Sequence, residues 1–281
     1  MPDMIGPAHK TGFTLIELSI VLVIIGLVIG GVVAGRDLIK MAELRTVLTD
    51  VEQYKTALNA YKLKYSHWPG DDPGAQNMWG TTDCPDFSTN CNGNGNGMWN
   101  GGSRGETLYA WHHMSLAGLV SGHYRAQGWP SSTFVSGSSY ADRINIPTTP
   151  LGGDTGYRFA EDEAGTGSDI CTCHSASSSI YGLQGKRLFL GAKFGRENAV
   201  ESPYNDAGAI SPIDAYRIDS KIDDGIAYSG GVRSNSGRDS GSGAGSNLCG
   251  PTLINYADPA SLFDYDLTNN QRDCAMHFFI R

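Results

Sequence analysis

The chain has few charged side chains and no excess of basic ones. Charged residues make up 18% of its 281 residues, against about 25% in an average soluble domain, and its formal net charge is −8. Binding to a nucleic-acid backbone needs a basic footprint, so we predict no nucleic-acid partner. The sequence also contains no nucleophile elbow, no phosphate loop and no two-histidine metal helix. We therefore predict that the protein is not an enzyme.

Cysteine is scarce, whereas glycine is abundant. The 37 glycines follow no three-residue period, which excludes collagen. Six cysteines are too few for a disulfide scaffold but allow two or three disulfides in an oxidising compartment. We predict that Cys84 pairs with Cys91 across a short loop, and that Cys249 pairs with Cys274 to tie the carboxy-terminal segment. The state of Cys171 and Cys173 stays open, because they are too close together for a typical zinc spacing.

The most apolar stretch lies near the amino terminus. Leu18–Gly35 is an 18-residue run without charge, bounded by Glu17 and Arg36. Residues 13–35 would span roughly 34 Å as a helix, about the thickness of a bilayer core. The positive-inside rule leaves the preceding segment, with Lys10, on the cytoplasmic side. These features predict a transmembrane helix.

A cleavable secretory signal peptide is the alternative interpretation of this run. The small residues Val32-Val33-Ala34 could serve as its cleavage site. However, the run is longer than the roughly 7 to 15 residues of a signal core. The carboxylate of Glu17 near the membrane interior also costs about 2.5 to 3.5 kcal/mol. A functional role for Glu17 is therefore the favoured hypothesis.

A helical pattern continues beyond the apolar run. Apolar residues recur at alternating spacings of three and four, which gives one apolar face: Leu44, Val47, Val51, Tyr54, Leu58, Tyr61 and Tyr65. No glycine or proline interrupts residues 36–66, and Trp68-Pro69-Gly70 then ends the pattern. We predict a single helix from Phe13 to Tyr65 whose second half lies against a globular head.

Residues 10–18, Lys-Thr-Gly-Phe-Thr-Leu-Ile-Glu-Leu, resemble the processing site of type IV prepilins and of the pseudopilins of type II secretion. The resemblance implies that prepilin peptidase cleaves between Gly12 and Phe13 and methylates the new amino group of Phe13. It also implies an assembly role for Glu17, the fifth residue after cleavage. Four segments of the head resemble a set of long prepilin-like proteins: Trp68–Asp71, Asn92–Gly97, Leu116–Leu119 and Asp219–Gly225.

Two features of the apolar helix suggest how subunits would assemble. Phe13 and Glu17 stand four residues apart on one helix face, and the new amine of one subunit could instead reach Glu17 of a neighbour. An unpaired buried carboxylate is costly, so this pair would select the axial register between subunits. Gly26 and Gly30 have the small-xxx-small spacing that allows close helix packing in lipid.

The predicted fold class is α+β and pilin-like, with a helical spine against a head that contains a small antiparallel sheet and extended loops. The predicted divisions are a leader at 1–12, a transmembrane half-helix at 13–35, a soluble half-helix at 36–66 and a head at 67–281. Within the head we predict a long loop from Trp68 to Gly105 and a flexible loop from Ser229 to Asn247. The predicted helices are Glu106–Val120 and 211–222. The predicted strands are 156–160, 187–192, 226–233 and 275–280.

No cofactor is predicted, although calcium stays open at two places. Asn92, Asn94 and Asn96 imitate the start of a calcium loop, but they offer amides where such loops use carboxylates, and a turn-rich loop is favoured. Asp223, Asp224, Asp264 and Asp266 could bind calcium in a way that resembles the carboxy-terminal site of some pseudopilins. His112 and His113 point to different faces of a helix, which suits packing and solvent better than shared ligation.

These patterns predict a structural subunit of a type IV pilus or a type II secretion pseudopilus. Its expected partners are other pilin or pseudopilin subunits, prepilin peptidase and the bacterial inner membrane. The chain would cross that membrane once, with its head in the periplasm, before it enters a filament. The alternative is a low-copy minor pilin that acts as a membrane-anchored adhesin or binding head.

Overall fold

A computed structural model describes ten parts of the chain. They are residues 13–83, 91–99, 106–124, 146–152, 155–162, 185–192, 208–227, 229–236, 249 and 264–280. The chain divides into two compact units, Met1–Arg45 and Thr46–Arg281. The leader, Cys84, Cys171 and Cys173 lie outside the described residues.

The first helix, α1, confirms the long helix predicted from the apolar pattern. It spans Leu15–Tyr65, within two residues of the predicted start and ending at the predicted residue. The helix ends where Ser66 adopts a positive φ of 62° and its amide bonds back to the carbonyl of Lys62. Most of the predicted apolar face is fully buried: Leu44, Val47, Val51, Leu58 and Tyr61.

Three shorter helices follow, and only one has the predicted limits. Helix α2, Ala75–Asp83, lies where we predicted a loop, and Gly80 interrupts it with a non-helical φ of 74°. Helix α3 spans Glu106–Leu116, so the predicted end at Val120 is wrong. Gly118 ends it with a φ of 69°, a left-handed conformation that commonly terminates helices. Helix α4, Pro212–Ile222, begins as predicted with a Ser211 cap that accepts from the Asp214 amide.

Four strands form one antiparallel sheet, which confirms the α+β class. They are β1, Thr155–Asp162, β2, Gly185–Ala192, β3, Val232–Ser236, and β4, Cys274–Phe279. The strand order is β1-β2-β4-β3. The prediction of a strand over 226–233 is wrong, because the chain turns at Gly230 with a φ of 68° and pairing begins at Val232. Strand β3 therefore lies inside the stretch predicted as a flexible loop.

Aromatic side chains join α1, α3 and the sheet within the second unit. The ring of Trp111 on α3 stacks on Phe159 of β1 with centroids 4.3 Å apart. Tyr54 of α1 meets the edge of both Trp111, at 4.8 Å, and Tyr157 of β1, at 5.2 Å. Trp111, Phe159 and Tyr157 are fully buried, and such pairs contribute beyond their buried area. The second half of α1 is thus part of the core of the head.

One predicted disulfide is present in the described residues. Cys249 and Cys274 are bonded, with Cα atoms 4.9 Å apart, which links residue 249 to the first residue of β4. Cys91 is also disulfide-bonded. Its predicted partner, Cys84, lies outside the described residues, so that pairing stays a prediction.

Candidate functional site: the amino-terminal helix and the head motifs

The first part of α1 exposes a continuous apolar surface. Phe13 is 91% exposed and Leu15 is 89% exposed, and the large apolar side chains that follow, up to Val33, are all about half exposed or more. Contiguous apolar surfaces of this kind mark membrane or partner sites. Within the described residues, α1 is the one helix long and apolar enough to cross a membrane, a property of length and composition that signal sequences share.

Thr14 and Glu17 form a capping box at the start of α1. Oε2 of Glu17 accepts hydrogen bonds from the backbone amide of Thr14 at 2.8 Å and from its hydroxyl at 2.7 Å. In return, Oγ1 of Thr14 accepts from the amide of Glu17 at 3.3 Å. The carboxylate is therefore provided with donors by its own chain, at the end of the helix where the dipole favours negative charge.

Thr14 is a site residue that the sequence analysis missed. A threonine followed three residues later by glutamate, directly before an apolar run, is the sequence signature of a capping box, and it is present at positions 14–17. The described contacts of Glu17 are with Thr14, because in the uncleaved chain the Phe13 nitrogen is a peptide amide and carries no charge. The predicted pair between Phe13 and Glu17 stays a prediction for the processed chain, and Gly12 lies outside the described residues.

The glycines of the apolar helix are not required by packing within the chain. A Cβ atom built on Gly26 or Gly30 would have nothing within 4 Å. Glycine lowers helix stability by about 1 kcal/mol relative to alanine, so these two positions weaken the helix without an internal contact to explain them. Their four-residue spacing places them on one face, which leaves a smooth strip on the surface of α1.

Two segments of the head that the sequence analysis singled out lie against each other. Oδ1 of Asp71 accepts from the amide of Asn96 at 3.1 Å, and its Oδ2 accepts from the amide of Gly97 at 2.7 Å. Burial raises the pKa of Asp71, while the loop amides, that of Gly97 first, oppose this rise. A Cβ on Gly93 would lie 2.3 Å from the Asp71 backbone, and Gly70 has a φ of 88°. Both glycines are therefore needed for this close approach.

The loop from Asn92 to Gly97 is built to hold a carboxylate rather than a cation. Its three asparagine oxygens are engaged by nearby amides. Oδ1 of Asn92 accepts from Gln76 at 2.7 Å, that of Asn94 from Asn96 at 2.9 Å, and that of Asn96 from Met98 at 2.8 Å. A calcium loop would turn its oxygens towards the ion. The structure therefore favours the turn-rich interpretation of this segment.

His113 lies at the centre of the same region, in a single defined protonation state. Its Nδ1 accepts from the amide of Gly70 at 2.8 Å, so its Nε2 must carry the proton that it shares with the carbonyl of Cys91 at 2.9 Å. Burial lowers the pKa of His113 to about 4. The expectation that one of the two adjacent histidines would face solvent is wrong, because His112 and His113 are both buried.

Asp219 and its neighbours occupy the end of α4 and the turn that follows. Asp219 is fully buried, and its Oδ2 accepts from the hydroxyl of Tyr265 at 2.8 Å. Burial raises the pKa of Asp219 to about 6, and the charges of Asp224 and Asp223 add to the rise. The sequence analysis grouped Asp223 and Asp224 with two acids near the carboxy terminus. Within the described residues, the structure groups them with Asp219 instead.

Comparison with known proteins gives one match, at the amino terminus. Residues 7–33 match the family model described as the prokaryotic N-terminal methylation motif. No curated protein and no solved structure matches the chain. This prepilin-type cleavage motif, followed by a long apolar helix and a small antiparallel sheet, fits a type IV pilin- or pseudopilin-like family. The motif and the helix also fit anchoring in a membrane.

Proposed function

We propose that the protein is a structural subunit of a type IV pilus or of a type II secretion pseudopilus. Prepilin peptidase cleaves it between Gly12 and Phe13 and methylates Phe13, and the subunit then assembles through α1. The observation that carries this proposal is the methylation motif at residues 7–33, placed directly before a helix whose large apolar side chains are exposed. That surface needs lipid before assembly and neighbouring helices after it.

The capping box gives Glu17 donors while the subunit is still in the membrane. The Thr14 amide and hydroxyl lie within 2.8 Å of its carboxylate, which lowers the cost of an acid in an apolar segment. Cleavage then creates a positively charged amine on Phe13. In a filament, the amine of one subunit reaches Glu17 of its neighbour, and a subunit out of register leaves this carboxylate without its cation.

The open strip at Gly26 and Gly30 supports close packing in the same assembly. With no side chain at either position, the backbone of a second helix can approach α1 more closely than a leucine face would permit. The partners of the chain are then other pilin or pseudopilin subunits, with the bacterial inner membrane as the place of storage. The subunit crosses that membrane once, and its head lies in the periplasm.

Replacement of Glu17 tests the assembly step. In a host with a matching assembly system, Glu17→Leu should be cleaved and remain in the membrane, while the amount recovered in sheared filaments falls at least about tenfold. This fall is expected because the register pair is lost. The measurement is immunoblotting of the sheared and membrane fractions.

Glu52→Leu is the matched control, because Glu52 lies on the same helix and only forms an exposed pair with Lys55 at 3.3 Å. Its filament yield should equal that of the wild type. Normal assembly of the Glu17→Leu protein would contradict the proposed role of Glu17, and an equal loss in both variants would show that the effect is not specific to the register pair.

A further inference from the structure

Three carboxylates meet where α4 ends and the chain turns towards β3. We call this group the acidic turn, and it consists of Asp219, Asp223 and Asp224. One carboxylate oxygen of each residue lies within 4.8 Å of the other two. The negative end of the α4 dipole points at the same place. Among the described contacts of these three side chains there is no ion pair with a lysine, arginine or histidine.

Asp219 supplies a second, independent observation. Its side chain is fully buried, and within the described part of the chain its Oδ1 accepts no hydrogen bond. Its other oxygen is already engaged by Tyr265. Buried polar atoms in native structures almost always have a partner, and a buried carboxylate oxygen without one is costly. The acidic turn therefore contains an unsatisfied oxygen directed at no described donor.

We propose that the acidic turn binds a calcium-like divalent cation. All three side chains offer hard oxygen ligands, which calcium prefers over nitrogen or sulfur. Two oxygens that share a calcium ion at about 2.4 Å lie no more than about 4.8 Å apart, and the observed separations satisfy this limit. The ion would take the free Oδ1 of Asp219 as a ligand and reduce the formal charge of the group from three negative charges to one.

The bound ion would join α4 to the sheet. Oδ2 of Asp223 accepts from the amides of Gly231 at 2.5 Å and Val232 at 3.0 Å, and Val232 is the first residue of β3. Asp224 accepts from the amide of Ile226 at 2.9 Å and so holds the turn between the two elements. A cation shared by these carboxylates would fix the end of the helix to the start of the strand. This role is independent of filament assembly.

Terbium luminescence on the full-length protein in detergent tests the site directly, because Tyr265 lies against Asp219 and can sensitise a bound ion. We expect saturable emission that calcium displaces. Asp223→Asn and Asp224→Asn should each weaken terbium binding at least tenfold. Asp264→Asn, which changes an exposed acid beside Tyr265, should bind like the wild type. Absence of saturable binding in the wild type, or equal binding in all variants, would overturn the proposal.

Thermal unfolding with and without calcium separates ion binding from a purely structural role. Calcium at about 100 times its Kd should raise the wild-type Tm by roughly 5 to 10 °C. Asp219→Asn should show no calcium shift, and in EDTA its Tm should be no lower than that of the wild type, because an unsatisfied buried charge has been removed. A lower Tm in EDTA together with an intact calcium shift would show that Asp219 is structural and is not a ligand.

Discussion

The two halves of α1 are equally apolar on one face but differ in what covers them. From Leu15 to Val33 the large apolar side chains are 48% to 89% exposed, whereas Val47, Val51 and Leu58 are completely buried. The second half is covered within the chain by aromatic residues of α3 and β1. A single helix thus contains a segment whose partners are already present and a segment whose partners must come from outside the chain.

The largest expected difference between the halves is in stability. Leu58→Ala should lower the free energy of unfolding of the head by about 2 to 5 kcal/mol, because it removes fully buried methyl groups and leaves a cavity. Leu22→Ala makes the same chemical change on the same helix, but Leu22 is 62% exposed, so the change should be within about 0.5 kcal/mol. Denaturant unfolding in detergent, followed by tryptophan fluorescence, measures both. Equal losses in the two variants would remove the distinction between the halves.

A smaller effect should distinguish the halves by pH, because the head contains His113 whereas the membrane half contains no histidine. The folded-state pKa of His113 is lowered from 6.5 to about 4, so the unfolded chain binds its proton first. The stability from neutral His113 is present above about pH 6.5 and is lost as the pH falls towards 4, on the order of 2 to 3 kcal/mol. The groups around His113 are Asp72, Tyr61, His112 and Tyr109.

Unfolding free energies measured from pH 7 to pH 4 check this prediction. His113→Gln should be less stable at pH 7 but should lose less stability on acidification than the wild type. His123→Gln is the control, since His123 is exposed, and it should keep the wild-type pH slope. An unchanged slope in His113→Gln would show that another group controls acid unfolding.

The elements that could be predicted from the sequence are those with a strong local pattern. Helix α1 follows from its apolar period, and α4 follows from the serine cap and the proline at its first position. Strands β1, β2 and β4 follow from short apolar runs. The capping box at Thr14 and Glu17 has an equally local signature, so the sequence contained the information for it.

The elements that were missed depend on tertiary contacts. His113 looks like a surface residue on a helix, and only the Gly70 amide and the Cys91 carbonyl, both distant in sequence, explain its burial. Strand β3 lies in a serine- and glycine-rich stretch and exists because Val232 and the residues after it pair with β4. The grouping of Asp219 with Asp223 and Asp224 also depends on how α4 ends. No local pattern gives these contacts.

The mass of the amino-terminal peptide of the membrane-bound protein tests the central claim most directly. In cells that contain prepilin peptidase, we expect the chain to begin at Phe13 with one methyl group on its nitrogen. This start keeps the whole exposed apolar segment in the mature protein. A chain that begins at Gly35 would show that the segment is a signal peptide, and a chain that retains residues 1–12 would show that the motif is not processed. Either result would contradict a filament subunit.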